Sequence, residues 1–281
     1  MMLHFVETTP CGTPAVTHFS RNVVNNHVGG VTSLGDDVFF VRYGSQRIEV
    51  YDAATLTLQR CFAVPQLGSV SCGLAACAKN NCLYASDCSQ HNIHRVELSG
   101  SNAVTKWSVA RHPAGLTVNN ANNLLVVSHD ERKLQEFTTH GTLLQNIQLQ
   151  LDANPWHAIH LQSGQFVVSC WGSWHGVCLV DVKGSVILSY GGQPKEMNNP
   201  RGLAMDKHGN ILVADMSNNR LLVLDRSLTS AHEMSVSVDG GLNEPFSLWY
   251  DESRGRLYIG EFTGGRVIVI DDLKDFSTSQ V

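Results

Sequence analysis

The chain has 281 residues, of which 43% are hydrophobic and 16% charged, and its net charge is −5 from 20 basic and 25 acidic side chains. The acidic balance lacks the basic footprint that a phosphate backbone demands, which argues against nucleic acid as the main partner. No stretch reaches the roughly 18–20 apolar residues of a membrane span, so no membrane role is expected. The opening MMLHFVETTPCG (1–12) has no charged start followed by a long apolar run, so it does not read as a secretory signal. Together with eight cysteines, this favours reduced thiols in a soluble, cytoplasmic chain.

In chain order, residues 1–14 read as an N-terminal extension, and AVTHFS (15–20) as an isolated short strand. From GGVTSL (29–34) onward a pattern repeats. Each unit holds apolar runs of five or six residues, too short for typical helices and punctuated by Gly, Asn and Asp. The second runs are DVFFVR, NCLYASD, NLLVVSH, QFVVSC, NILVAD and RLYIGE, and the third are RIEVYD, NIHRVEL, KLQEFT, GVCLVD, RLLVLD and RVIVID. Aligned on Val41, Ser86, Ser128, Ser169, Ala214 and Gly260, the units recur at intervals of 45, 42, 41, 45 and 46 residues. That length fits four short strands with their turns.

Several second runs are apolar at successive positions, which implies burial on both faces. A blade packed between two neighbours has this property. The expected fold is all-β, a six-bladed propeller of four-stranded antiparallel blades over residues 15–272, with a tail at 273–281. The last unit holds only three strands, and the tail offers no good fourth. AVTHFS should therefore supply the outer strand of the last blade and tie the ring shut. In the fifth unit, HEMSVSV (232–238) is the expected outer strand.

The fifth unit resembles the NHL repeat. It has Pro200-Arg201-Gly202, Asp206, Gly209-Asn210, Val213-Ala214-Asp215 and Asn219-Arg220. The sixth keeps a looser version, with Pro245, Glu261 and Arg266, and the third has Pro113-Ala114-Gly115 with His129 and Lys133 where Asp and Arg would be. The resemblance implies a protein- or RNA-binding module of the kind found in tripartite-motif proteins and extracellular sensors. Related six-bladed folds also include a zinc- and calcium-dependent amidating lyase and calcium lactonases. Asp215/Arg220 and Glu261/Arg266 are each five apart and span one loop. The carboxylate can accept loop amides while the guanidinium returns to it, so the architectural reading of these pairs is favoured.

Binding is expected on the face made by the loops between second and third strands and the crossovers into each inner strand. The candidate partner-binding residues there are Arg42, Tyr43, Arg47, His129, Arg132, Trp156, His157, Trp171, Trp174, His175, Arg201, Asn219, Phe246 and Phe262. Aromatic and arginine anchors are what interface hot spots use. Asp87, His91, Arg111, His112 and Asp130 are placed on the same face. The loop Cys170–Gly176 is the least repeat-like and, with Trp171 and Trp174, the best single candidate. RNA binding would rest on Arg42, Arg47, Arg132 and Arg201.

No metal or other cofactor is expected. His112 and His157 flank prolines and could point at the channel, as zinc-binding histidines do at comparable positions in the lyases. Arg201 and Phe246 stand at that point in the fifth and sixth units, so a three-histidine set is not evident. Cys72, Cys77, Cys82 and Cys88 lack the close pairing of structural zinc sites. Cys77 and Cys82 should face one another across a hairpin. No phosphate loop, nucleophile elbow or dinucleotide fingerprint appears. The expectation is a monomeric, non-enzymatic scaffold that binds a protein, with a metal-dependent lyase- or lactonase-like enzyme as the alternative and an RNA-binding domain as a second one.

Overall fold

The computed structural model describes residues 16–19, 27–100, 102–193 and 195–271. The expected N-terminal extension and C-terminal tail lie outside them, as do Ala15 and Ser20. Twenty-four strands, β1 to β24, and one 3-10 turn are present among the described residues. β1 (Val16–Phe19) is followed by six units. Blade one is β2 (Val28–Leu34), β3 (Asp37–Arg42), β4 (Arg47–Asp52) and β5 (Leu58–Ala63); blade two is β6 (Leu74–Cys77), β7 (Cys82–Asp87), β8 (Asn92–Glu97) and β9 (Val104–Ser108). Blade three is β10 (Pro113–Val118), β11 (Leu124–Ser128), β12 (Lys133–Phe137) and β13 (Leu143–Gln148); blade four is β14 (Asn154–His160), β15 (Phe166–Trp171), β16 (Gly176–Val180) and β17 (Val186–Gly191). Blade five is β18 (Pro200–Met205), β19 (Ile211–Asp215), β20 (Arg220–Leu224) and β21 (Ala231–Met234); blade six begins with β22 (Pro245–Asp251), β23 (Arg256–Glu261) and β24 (Val267–Ile270).

Each blade is a four-stranded antiparallel sheet, and β1 completes the sixth beside β24, with Val16 opposite Ile270 and Phe19 opposite Val267. The N-terminal strand therefore closes the ring, as expected. Closure gives the short strand β24 a partner on both sides and leaves only the four-residue β1 as the outer edge of the blade. In blade five the outer strand ends at Met234; beyond it Val236 and Val238 leave the sheet and pack against the core between blades five and six.

Packing follows from the doubly apolar second strands. β7, β11 and β19 are buried at every position. Their two faces feed two different cores. Leu125 and Val127 join Phe166 and Val168 between blades three and four, whereas Leu124 and Val126 join Cys82 and Tyr84 between blades two and three. Six such apolar layers alternate with the six sheets around the ring. At about 1.5–3 kcal/mol for each fully buried aliphatic or aromatic side chain, these layers are the main source of stability.

Turn chemistry repeats as well. Asp215 Oδ2 accepts from Arg220 Nε (2.7 Å), and its Oδ1 accepts the Asn198 N–H (2.6 Å) of the incoming crossover. Glu261 copies both contacts, with Arg266 Nε at 2.6 Å and the Asn243 N–H at 2.7 Å. Asp87 accepts the Gly68 N–H (2.8 Å) at the same place in blade two. Asp87, Asp215 and Glu261 are fully buried, so these carboxylates are architectural: they pin each crossover to the blade it enters.

Candidate functional site

The site is built by a defect repeated in the inner strands. In five of the six, the register to the second strand slips by a bulge near the start: at Val28/Gly30, Pro113/Leu116, Pro155/His157, Pro200/Leu203 and Pro245/Ser247. A bulge re-aims the extra residue and sharpens the local twist. Proline suits the first position because it has no N–H to pair. The residues beside these slips are Gly29, Ala114, Trp156, Arg201 and Phe246, with Cys72 at the matching place in blade two. Blades one to three thus supply small groups and blades four to six large ones. Below them the inner strands approach so closely that glycine is required: a Cβ on Gly115 would stand 2.3 Å from His157 Cδ2 and 2.7 Å from the Trp156 carbonyl oxygen. The space enclosed there is about 30 Å³. That holds one or two waters and no substrate, so a ligand of the channel could be met only at its mouth.

A second tier comes from the residues that end or follow the second strands. Tyr43, Cys88, Trp171, Met216 and Phe262 gather with Cys72, Ala114, Trp156 and Phe246 into one apolar cluster. Tyr43 Oη lies 3.2 Å from Cys72 Sγ, and Cys88 Sγ lies 2.6 Å from Cys72 Sγ and 2.8 Å from the Pro113 carbonyl oxygen, either of which can accept its one S–H. Burial, reinforced by Cys72, pushes the Tyr43 phenol and the Cys88 thiol far above their ordinary values, so both are neutral. His27 stacks on Phe262 at 3.9 Å.

Arg201 lies at the centre. Its guanidinium carbon is 4.1 Å from the Trp156 ring centre, 4.3 Å from that of Trp171 and 6.0 Å from that of Phe246. The residue is only 8% exposed, and its Nε and Nη1 are buried without a hydrogen-bond partner. Among the described residues no carboxylate forms an ion pair with it. Burial lowers its pKa to about 10, opposed by Tyr43 and Cys72, and it stays cationic at neutral pH. Stacking over indole stabilises the cation by roughly 1–2 kcal/mol per ring when water is excluded. Each unfilled buried donor costs about 1–3 kcal/mol. The indole N–H of Trp171 is also buried and unpaired. The mouth is therefore rich in donors that lack acceptors.

On its blade-three side the mouth changes character. His129 stacks on His112 (5.2 Å between centres) and reaches Trp156 and Trp171 at 6.0 and 6.1 Å. Asp130 stands against the Nδ1 atoms of both histidines, 2.9 Å from that of His129. One donor atom each from His112, His129 and Asp130 falls within 4.8 Å of the others. Burial lowers the pKa of His129; Asp130 opposes this, while His112 and Arg201 add to it.

Of the residues expected on this face, the mouth gathers Tyr43, His129, Trp156, Trp171, Arg201, Phe246 and Phe262. The others have different surroundings. Arg42 is buried, 3.2 Å from Glu49, and donates to the Gly265 carbonyl (2.7 Å). Arg132 donates to the Leu151 carbonyl (2.7 Å). Trp174 packs over Gly176 and against the core between blades three and four, away from Trp171. His175 accepts the Asn199 N–H (2.7 Å), and Asn219 accepts that of Glu244 (2.8 Å). His157 lines the channel, its Nδ1 accepting from the Leu203 N–H and its Nε2 donating to the Leu116 carbonyl, both at 3.2 Å. With both nitrogens engaged it is a strut rather than a metal ligand. Arg47 alone of the four arginines considered for RNA is exposed, so they do not form one open basic patch. Cys77 and Cys82 pair directly across their hairpin, without a disulfide.

Fold and mouth together define a six-bladed propeller whose chemistry is concentrated where the inner-strand bulges meet the loop face. Residues 197–224, in blade five, match the NHL repeat, so the chain is a six-bladed propeller in which one blade carries that repeat. No curated protein matches it in sequence. Among solved structures it is similar to virginiamycin B lyase from Staphylococcus aureus (8% identity, 91% of this chain and 98% of that one, TM-score 0.68). It is also similar to hydrazine synthase from Kuenenia stuttgartiensis (14% identity, 95% and 100%, TM-score 0.68) and to a chain of the nidogen/laminin complex (18% identity, 84% and 89%, TM-score 0.68). At these identities the likeness is one of fold. No helix among the described residues is long and apolar enough to cross a membrane.

Proposed function

We propose that the chain is a non-enzymatic binding propeller that engages a protein partner through the channel mouth on its loop face. The observation that carries this reading is Arg201, a cation held between two indoles with buried N–H donors and no carboxylate beside it. A partner that inserts an acceptor group, an acidic side chain or a chain carbonyl, would supply what those donors lack. The surrounding Trp156, Trp171, Phe246 and Phe262 would provide the desolvated contact that hot spots need. The narrow channel below favours recognition at the surface over turnover of an enclosed substrate.

The test is site-specific photo-crosslinking of the full chain in extracts of its source. A photoreactive phenylalanine analogue at Phe262, on the mouth, should give a discrete adduct. The same group at Val182, an exposed position outside the mouth cluster, should not. Adducts of equal yield from both positions, or from Val182 alone, would reject the assignment of the face.

A further inference from the structure

We infer that His112, His129 and Asp130 form a binding site for one divalent ion of the zinc class at the blade-three edge of the mouth. The inference rests on residues other than the Arg201 anchor and stands whether or not the partner reading holds.

Blade three departs from a pattern kept in blades two, five and six. In blades two, five and six the residue after the alignment position is a buried carboxylate, Asp87, Asp215 or Glu261, that caps the incoming crossover. In blade three that place is taken by His129, and the carboxylate stands one residue later as Asp130, half exposed at the mouth. There it meets two imidazoles. The rings of His112 and His129 are nearly parallel, 14° apart, and both present Nδ1 to Asp130. His129 Nδ1 is buried and forms no hydrogen bond, although Asp130 Oδ1 is 2.9 Å away. The oxygen is therefore off the direction in which the ring would donate a proton. With the ring neutral and its Nδ1 lone pair turned to that oxygen the two repel each other, and a cation to one side, bonded to both, turns the repulsion into attraction.

Zinc satisfies this at about 2.0–2.2 Å to imidazole nitrogen and carboxylate oxygen, which spaces its ligand atoms a little over 3 Å apart. The three donors already lie within 4.8 Å, so closing onto an ion needs only small movements. The backbone holds His112 in place: its φ is +49°, which is uncommon for a residue other than glycine. Its N–H donates to His91 Nδ1 (3.2 Å), and Pro113 restricts the next step of the chain. Two imidazoles with one carboxylate suit zinc and its first-row neighbours, whereas calcium and magnesium prefer oxygen alone. Three protein ligands leave a fourth position for water or for a donor from a bound partner. All three ligands come from a single blade.

The experiment uses the full, untagged chain, stripped with a chelator and titrated with zinc chloride by calorimetry, with Co²⁺ absorption as a second readout. One zinc per chain is expected, together with cobalt bands of a low-symmetry, imidazole-bearing site. His129→Ala and Asp130→Asn should weaken binding by about 100-fold or more, beyond the 10–100-fold typical of losing an outer-shell partner. His208→Ala, at a turn on the opposite face, should leave it unchanged. Nitrogen NMR of the unaltered chain adds a measurement that needs no variant: zinc should shift the Nδ1 resonances of His112 and His129 and spare His157. Absence of stoichiometric binding, binding that Asp130→Asn does not weaken, or zinc shifts at other histidines would each overturn the inference.

Discussion

Protonating His157 should loosen the ring. Its Nδ1 accepts from Leu203 on blade five and its Nε2 donates to Leu116 on blade three, so the neutral ring ties three inner strands together. Burial, slightly opposed by the Leu116 carbonyl, lowers its pKa to about 4, against about 6.5 in an unfolded chain. The unfolded state therefore binds more protons between these values, and the stability that the neutral ring contributes is present above pH 6.5 and lost as pH falls toward 4. At about 1.36 kcal/mol per pH unit, the loss attributable to this ring is about 2.5 kcal/mol by pH 4.5. Denaturant unfolding at pH 7 and pH 4.5 of the unaltered chain and of His157→Gln isolates it, because every other carboxylate and histidine titrates in both. The unaltered chain should lose about 2.5 kcal/mol more than the variant. Parallel losses would refute the claim that the ring is held neutral by burial.

Three further outcomes follow from the packing. Deleting residues 1–20 removes β1 and strips β24 of its outer partner; the product should unfold or oligomerise, and a monomer with unchanged melting would contradict closure of the ring by the N-terminal strand. Asp215→Ala leaves the Asn198 amide without its acceptor at a buried point, while Arg220 keeps Glu233 and the Lys195 and Glu196 carbonyls, and should cost about 2–3 kcal/mol in denaturant unfolding; a loss below about 1 kcal/mol would show that the crossover does not need the carboxylate. Gly115→Ala drives a methyl into the Trp156 carbonyl and the His157 ring, and should cost about 1–3 kcal/mol. A neutral result there would mean that the inner strands can spread.

The fold could be read from the chain because a propeller writes its plan locally. Second strands such as NILVAD and DVFFVR are apolar on both faces, so their periodicity announces burial between neighbours, and the missing fourth strand of the last blade points back to AVTHFS. The Asp215/Arg220 and Glu261/Arg266 pairs were also legible, since both partners flank one short loop. The mouth was legible only in its ingredients. Trp171 and Trp174 are three residues apart and look equivalent, yet one turns to Arg201 and the other lies over Gly176, because a tight loop sends its side chains to opposite sides. The bulges after Pro155, Pro200 and Pro245 decide which residue faces the axis, and a bulge leaves no mark in the hydrophobic pattern. His112 and Asp130 are 18 positions apart and meet through strand register. The displaced acid in Ser-His-Asp, compared with Ala-Asp in blade five, was the available signal.

The most direct test of the account concerns Arg201. The partner captured at the mouth should be titrated against the unaltered chain and against Arg201→Met, which keeps apolar length between Trp156 and Trp171 but removes the charge and its donors. Deleting a buried, unpaired cation should leave the melting temperature unchanged or higher, so any change in binding is read on a folded protein. The account predicts at least about a 30-fold loss of affinity, equivalent to the 2 kcal/mol that marks a hot spot. Affinity equal to that of the unaltered chain would contradict it.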